Sequence, residues 1–319
     1  MVATAQARSG APLATILAQL GLVPATFYRW CQRAEAGPLV DRIVVPRRKI
    51  LLPTPAEAAA VRDFALQHPV MGYKRLTWAM VDQDVAYLRP YQVYRVLTEH
   101  QLLVRRPKPP EEALRRPPPA VRPDQVWHVD LMYVYVRPRW YYLVDILDAY
   151  SRYLVHWSLN RTMTADTVTL TVQEALDTLT ERRSHEPKIV HDHGSQFVGR
   201  EWRIFVEGAG IIDVTTRVAH PESNGLLERL HRTHREEGLI GEDTTSYYGA
   251  SDTMTAWGHY YNHARPHSAL HYLYPIDFYR GDPAGRLVGR ESKLAQAVMQ
   301  RAAYWNDYAV VKERKSLHQ

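Results

Sequence analysis

The sequence predicts an α/β chain in which all-α, helix-turn-helix-like units precede a mixed β-sheet with helices packed on it. Three observations carry this. Apolar residues recur at helical spacing through the first part of the chain, a Pro- and Arg-dense stretch occupies 105–123, and beyond it apolar, β-branched and aromatic runs follow in the order β-β-β-α-β-α-β-α. The 319 residues suit about two domains at roughly 150 residues each. With 45% hydrophobic and 23% charged residues, the composition excludes a disordered or collagen-like chain.

In chain order, the segment 14–35 (ATILAQLGLVPATFYRWCQRAE) holds two short helical patterns parted by Gly21, Leu22 and Val23. Ile16, Leu17, Leu20, Phe27 and Trp30 are expected to share a core, with Pro24 in a first helical turn and Thr26, Tyr28, Arg29 and Arg33 outward. A helix-turn-helix and a plain helical hairpin both fit this segment. Residues 55–104 repeat the theme in three helical patterns, the last starting at Pro90, with Val93, Val96 and Leu97 inward and Arg89, Gln92 and Arg95 free for phosphate or base edges. The stretch 105–123 (RRPKPPEEALRRPPPAVRP) suits an extended linker. The organisation expected is thus a unit at 1–50, a second at 51–104, the linker, a sheet-containing core at 124–282 and a helical tail at 283–319, whose role as DNA contact, oligomerising segment or packed helix stays open.

Charge follows the same division. Residues 1–123 hold 18 Lys and Arg against 9 Asp and Glu, a net +9, which leaves −3 for the remainder of the +6 total. A basic N-terminal part suits a polyanion partner. The single cysteine, Cys31, excludes an internal disulfide and any Cys-rich zinc module and is expected to be a small buried hydrophobe. No apolar run reaches the roughly 18 residues of a membrane span, and the opening MVATAQARSG lacks a secretory core, so a cytoplasmic location without membrane contact is expected.

In the core, VWHVDLMYVYV (126–136), WYYLVDILDAY (140–150) and RYLVHWSL (152–159) read as three antiparallel strands, and Trp127, Tyr133, Tyr135, Trp140, Tyr141 and Tyr142 as core aromatics. A helix at 164–181, a strand at 188–192, a helix at 199–210, a strand at 211–216 and a helix after Gly225 complete the pattern. Asp130 stands in mid-strand, where a carboxylate is costly unless paired or holding a cation. Asp192 falls where a short strand runs out into HGSQF, and Glu228 near the start of the helix after HPESNG. Thirty-five residues separate Asp192 from Glu228, and Arg235 follows Glu228 by two helical turns.

These residues carry a resemblance. The chain is similar to DDE-type insertion-sequence transposases with a retroviral-integrase-like core, of the group with an Asp, Asp, 35 residues, Glu pattern and a basic residue seven positions on. The likeness spans WHVD (127–130), LVDILDAYSR (143–152), HDHGSQF (191–197), HPESNGLLERLHRTHRE (220–236), YNHARPHSAL (261–270) and, in the N-terminal region, GYKRLTWAM (72–80). It implies an RNase H-like catalytic core in which Asp130, Asp192 and Glu228 hold two Mg²⁺ ions, Mn²⁺ being a substitute, and in which water and then a freed 3′-hydroxyl attack phosphodiesters. It also implies Arg235 near a phosphate, with Arg29, Arg33, Lys74, Arg75 and Arg95 as candidate DNA contacts. The partners implied are double-stranded DNA at transposon ends and target, further copies of the chain, and an upstream-frame protein. A DNA-binding regulator or inactive remnant keeping the same fold is the alternative. Asp145 and Asp148 are expected to be structural, the latter supporting a turn through Ser151 and Arg152. His231 and His234 are expected on a polar surface, and the His259, His263, His267, His271 series is expected to be interrupted by Pro266 rather than to bind metal.

Overall fold

A computed structural model describes residues 2–36, 52–103, 120–179, 187–215, 225–238 and 245–316. Most of the 105–123 linker, together with His220 and Glu222, lies outside them. The chain forms two compact units, residues 52–300 and residues 1–51 with 301–319. The division expected at 105–123 therefore falls within the span of the larger unit.

In the smaller unit, α1 (Val2–Ser9), α2 (Leu13–Gln19) and α3 (Pro24–Ala36) follow one another. Gly21, at φ +66°, turns the chain between α2 and α3, a left-handed conformation that a side chain would strain. Ile16 and Leu17 are buried as expected, but Leu20 is 46% and Trp30 40% exposed, and Cys31 is exposed as well. A shared core of Leu20 and Trp30 is thus corrected, as is a buried Cys31.

The larger unit opens with α4 (Pro55–Gln67), α5 (Tyr73–Asp82) and α6 (Pro90–Glu99). Thr54 starts α4 with a reciprocal cap, its hydroxyl accepting from the Glu57 amide while Glu57 accepts from the Thr54 amide. Val61, Phe64, Leu76, Met80, Leu88, Val93, Val96 and Leu97 form the core of the three helices. Gln92 is buried and accepts from the Arg89 amide, so it is not available to a nucleic acid.

The sheet has the order β3-β2-β1-β4-β5. β1 (Val126–Val136), β2 (Arg139–Asp148) and β3 (Leu154–Asn160) form an antiparallel meander. The helix α7 (Ala165–Asp177) leads to β4 (Lys188–His191), and α8 (Arg200–Ala209) to β5 (Ile212–Thr215); β4 runs parallel to both β1 and β5. Beyond them come α9 (Gly225–Thr233), a π-helical turn at His234–Gly238, α10 (Tyr247–His263), α11 (Pro275–Tyr279) and the long α12 (Pro283–Ser316). Away from their hairpin end, β1 and β2 are apolar on both faces because both are covered. Met132, Val134, Leu143 and Leu147 pack with Leu227, Leu230, Met254 and Trp257, while Trp127, Val129, Val144 and Ile146 pack with Val168, Val172, Trp202 and Val206.

Buried ion pairs join α5 to the core. Glu237 sits between Arg75 (2.9 Å) and Arg265 (2.6 Å). Burial opposes its charge, yet the two guanidiniums outweigh burial and hold the carboxyl below its usual range. Arg290 clasps Asp82 at 2.6 Å and the carbonyls of His271 and Tyr272. Asp148 accepts from the amide and hydroxyl of Ser151 and from the Asp124 amide, the turn support expected of it.

Two outcomes follow from alternation and crowding. Trp127 and Tyr141 are buried, but Tyr133, Tyr135 and Trp140 are exposed, because at the hairpin end of β1 and β2 their common face stands out to solvent; their assignment to the core is corrected. The π-turn sets Gly238 against Trp257, where an added methyl would come within 2.5 Å of the indole. Gly238→Ala is therefore expected to lower stability by about 1–3 kcal/mol through overpacking, read as a fall of several degrees in the thermal midpoint.

Candidate active site

The site is built on the register of the three middle strands. Asp130 on β1 lies directly opposite Asp145 on β2. On its other side, β4 pairs with β1 at a constant offset, Val126 with Lys188 through His128 with Val190; carried two residues further, just past the end of β4, that offset brings Asp192 alongside Asp130, whose carboxyl feels the Asp192 charge. Directly opposed residues of neighbouring strands share a face. Three carboxylates therefore sit level across β2, β1 and the end of β4, on the face covered by α9 and α10.

Their surroundings differ. Asp130 is 18% exposed at its side chain; its Oδ1 accepts from the Leu131 amide at 2.9 Å, and its Oδ2 has His231 Nδ1 at 3.8 Å, beyond hydrogen-bond reach. Burial pushes its carboxyl up to about 6; His231 pulls it down, while Asp192 and Asp145 push it further up. Asp192 is half-buried, and its Oδ1 accepts from the Gly194 amide at 2.9 Å, turning the chain just past the strand. His191 steadies that turn: its Nδ1 lies 2.6 Å from the Asp192 carbonyl, its Nε2 2.7 Å from Asp213, and its ring stacks on Phe197. Asp213 is held by this contact and accepts from Trp202 Nε1 at 3.3 Å.

Asp145 is wholly buried, with His231 Nε2 at 3.3 Å and His234 Nε2 at 3.2 Å from the same oxygen. Both contacts lie within ion-pair distance without aligned hydrogen-bond geometry. Both histidines are buried, which corrects their placement on a polar surface: the end of α9 and the start of the π-turn lay them against the strands. The available sequence signals were an acid amid LVDIL and two histidines at i and i+3, the helical spacing that puts both on one side.

Glu228 is exposed on α9, one turn before His231, so the side of α9 that meets Asp130 also carries Glu228. Among the described residues no group of three or more His, Cys, Asp and Glu side chains is gathered closely enough to hold a metal ion, the α10 histidines included. Asp192 is near enough for its charge to bear on Asp130, and the Glu228 carboxyl is not gathered with them into such a group. Arg235 is exposed on the π-turn and close enough to bear on the His231 charge. The π-turn interrupts the α-helical register expected to carry it to the Glu228 face.

Of the candidate DNA contacts, Arg29 and Lys74 are exposed and Arg33 is half-buried. Arg95 is exposed and pairs with Glu99. Arg75 does not stand free for phosphate, because Glu237 holds it at 15% exposure. No helix among the described residues is long and apolar enough to cross a membrane.

The five-stranded mixed sheet with helices on both faces resembles an RNase H-like core of the integrase type. Residues 120–221 match one integrase core domain family and residues 210–275 a second of the same description. An uncharacterized 31.7 kDa protein of insertion element IS407 from Burkholderia multivorans is 26% identical over 228 residues, 69% of this chain and 79% of its own length. The transposase InsD for insertion element IS2 of Escherichia coli is 27% identical over 228 residues, 66% of this chain and 74% of its own. Among solved structures, the HTLV-2 integrase catalytic core in complex with magnesium covers 50% of this chain and 99% of itself, at 15% identity and a TM-score of 0.38. Between them the two integrase core models match residues 120–275, and the chain is similar to proteins of bacterial insertion elements, a transposase among them.

Proposed function

We propose that this chain cuts and joins DNA at the ends of a mobile element, with Asp130, Asp192 and Glu228 as the ligands of paired Mg²⁺ ions. The observation that carries the reading is the level placement of Asp130 and Asp192 across β1 and β4, on the face met by the Glu228 helix. The donor set fits the ion. All three ligands are carboxylates, the chemistry a hard divalent cation takes, and burial leaves Asp130 with a carboxyl that a cation would relieve. Bound there, such ions activate the attacking oxygen and stabilise the leaving one.

The chain's own residues supply the geometry. The β1–β4 register fixes two carboxylates, His191 and the Gly194 turn hold the second in place, and α9 brings the third to the open side. Arg235 and Lys74 are offered to phosphate, double-stranded DNA is the partner, and assembly with further copies on two DNA ends accounts for synapsis.

The test is a joining assay with duplex oligonucleotides bearing a terminal 3′-hydroxyl and sequence taken from the DNA on either side of the coding region, searched for inverted repeats. Joined products that require Mg²⁺ or Mn²⁺ are expected, and hydrolysis without joining would set the reading aside in favour of a nuclease. Because Asp130 must lose its proton to bind a cation, Mn²⁺ affinity is expected to fall about tenfold per pH unit below about 6, measured by titration calorimetry across pH. An affinity that stays level down to the ordinary carboxylate range would remove Asp130 from the site.

A further inference from the structure

We infer that the outer end of the β1–β2 hairpin is a platform for unpaired bases of single-stranded DNA. Two rungs of aromatic pairs stand on one face there. Tyr135 opposes Trp140 with ring centroids 5.0 Å apart, and Tyr133 opposes Tyr142 at 5.2 Å, the rings inclined by 56° and 62°. Tyr133 is 59%, Tyr135 47% and Trp140 58% exposed. Large apolar side chains left in water on a sheet face mark a contact surface.

Its chemistry selects the partner. The exposed large hydrophobics of β1, β2 and β3 are all aromatic, with no aliphatic side chain among them. Stacking on bases needs only ring faces, and each of these exposed side chains offers one. The surrounding charge is basic: Arg137 and Arg139 are exposed at the tip, and Arg161 is exposed just past Asn160, which pairs with Tyr142 at the same end of the sheet. Ring faces beside guanidiniums are the two ingredients of sequence-tolerant single-strand binding, stacking for the bases and charge for the phosphates. Aromatics on neighbouring strands already carry bases in this way on other sheets.

The platform does not duplicate the carboxylate site. Tyr133 and Tyr135 alternate with Asp130 along β1 and so face the opposite side of the sheet. The inference rests on the DNA-joining reading only in naming the substrate, a strand left unpaired when an element end is opened.

The test uses the full chain without divalent metal, so it is independent of joining. Fluorescence anisotropy with an oligothymidine of about 20 nucleotides and a duplex of equal length would be compared for the wild type, Tyr133→Ala, Trp140→Ala and Trp140→Phe. Each alanine variant is expected to lose about tenfold in single-strand affinity and to keep its duplex affinity, while Trp140→Phe, which retains a ring, stays near wild type. The wild type should also show indole quenching on binding that Trp140→Phe lacks. Single-strand affinity unchanged by both alanine variants would overturn the inference, as would their dissociation of an oligomer in sedimentation without loss of single-strand affinity, which would assign the face to a second copy. Loss of joining in Glu228→Gln with the ring-dependent binding intact would leave this inference standing on its own.

Discussion

Glu228→Gln is expected to abolish strand cleavage and joining, by at least about 10³-fold, while DNA binding persists. The substitution keeps size and hydrogen-bonding capacity and removes one negative charge, so what it tests is the need for an anionic oxygen. Paired cations stabilise the charge developing on attacking and leaving oxygens by several kcal/mol, and each 1.36 kcal/mol is a factor of ten in rate. Folding should not suffer, because Glu228 is exposed on α9 and its neighbours Leu227 and Leu230 make the packing. Joining would be followed on labelled oligonucleotides, and binding by anisotropy in the same samples. Equal joining by variant and parent would leave the regulator that keeps the fold as the better reading.

The parts of this site differed in how openly the sequence displayed them. Strands were legible because β1 and β2 are apolar on both faces, and the run from Val126 to Val136 has the same ends in the structure as in the pattern. Helix starts were legible where local chemistry dictates them, as at Pro55 and Pro90. Register was not legible: no pattern in one strand says that Asp130 opposes Asp145 or lies level with Asp192, because pairing is decided by the partners and by the length of the crossover through α7. The same holds for Arg75, which reads as a surface cation until the fold brings Glu237 to it from 162 residues away. Exposure of Tyr133, Tyr135 and Trp140 was hidden because aromatics at strand spacing look alike whether or not a helix covers them.

Asp145 is where a buried charge should be most costly to disturb. Burial raises its carboxyl, but His234 and His231 outweigh burial and hold it well below the usual range. For His231, burial opposes the imidazolium and is outweighed by Asp145 and Asp130, so the ring titrates above its ordinary value. Asp145 thus contributes stability that is present above about 4 and lost as pH falls through its depressed value; His231 contributes stability present below about 6.5 and lost as pH rises through its elevated value. Asp145→Ala removes the anion common to both buried imidazoles and leaves His231 only the more distant Asp130, at an expected cost of about 3–5 kcal/mol, a large share of the roughly 5–15 kcal/mol that holds a typical protein folded. Thermal melts of the wild type should therefore lose stability as pH is raised past neutrality, and the variant should be both lower and flatter in that range. The double replacement Asp145→Val with His234→Leu separates charge from shape, since a buried ionic cluster exchanged for apolar residues of similar volume is often neutral or stabilising. Recovery in the double variant assigns the loss to the uncompensated histidines, whereas a double variant as unstable as the single one would mean that Asp145 is held by its packing and not by its charge.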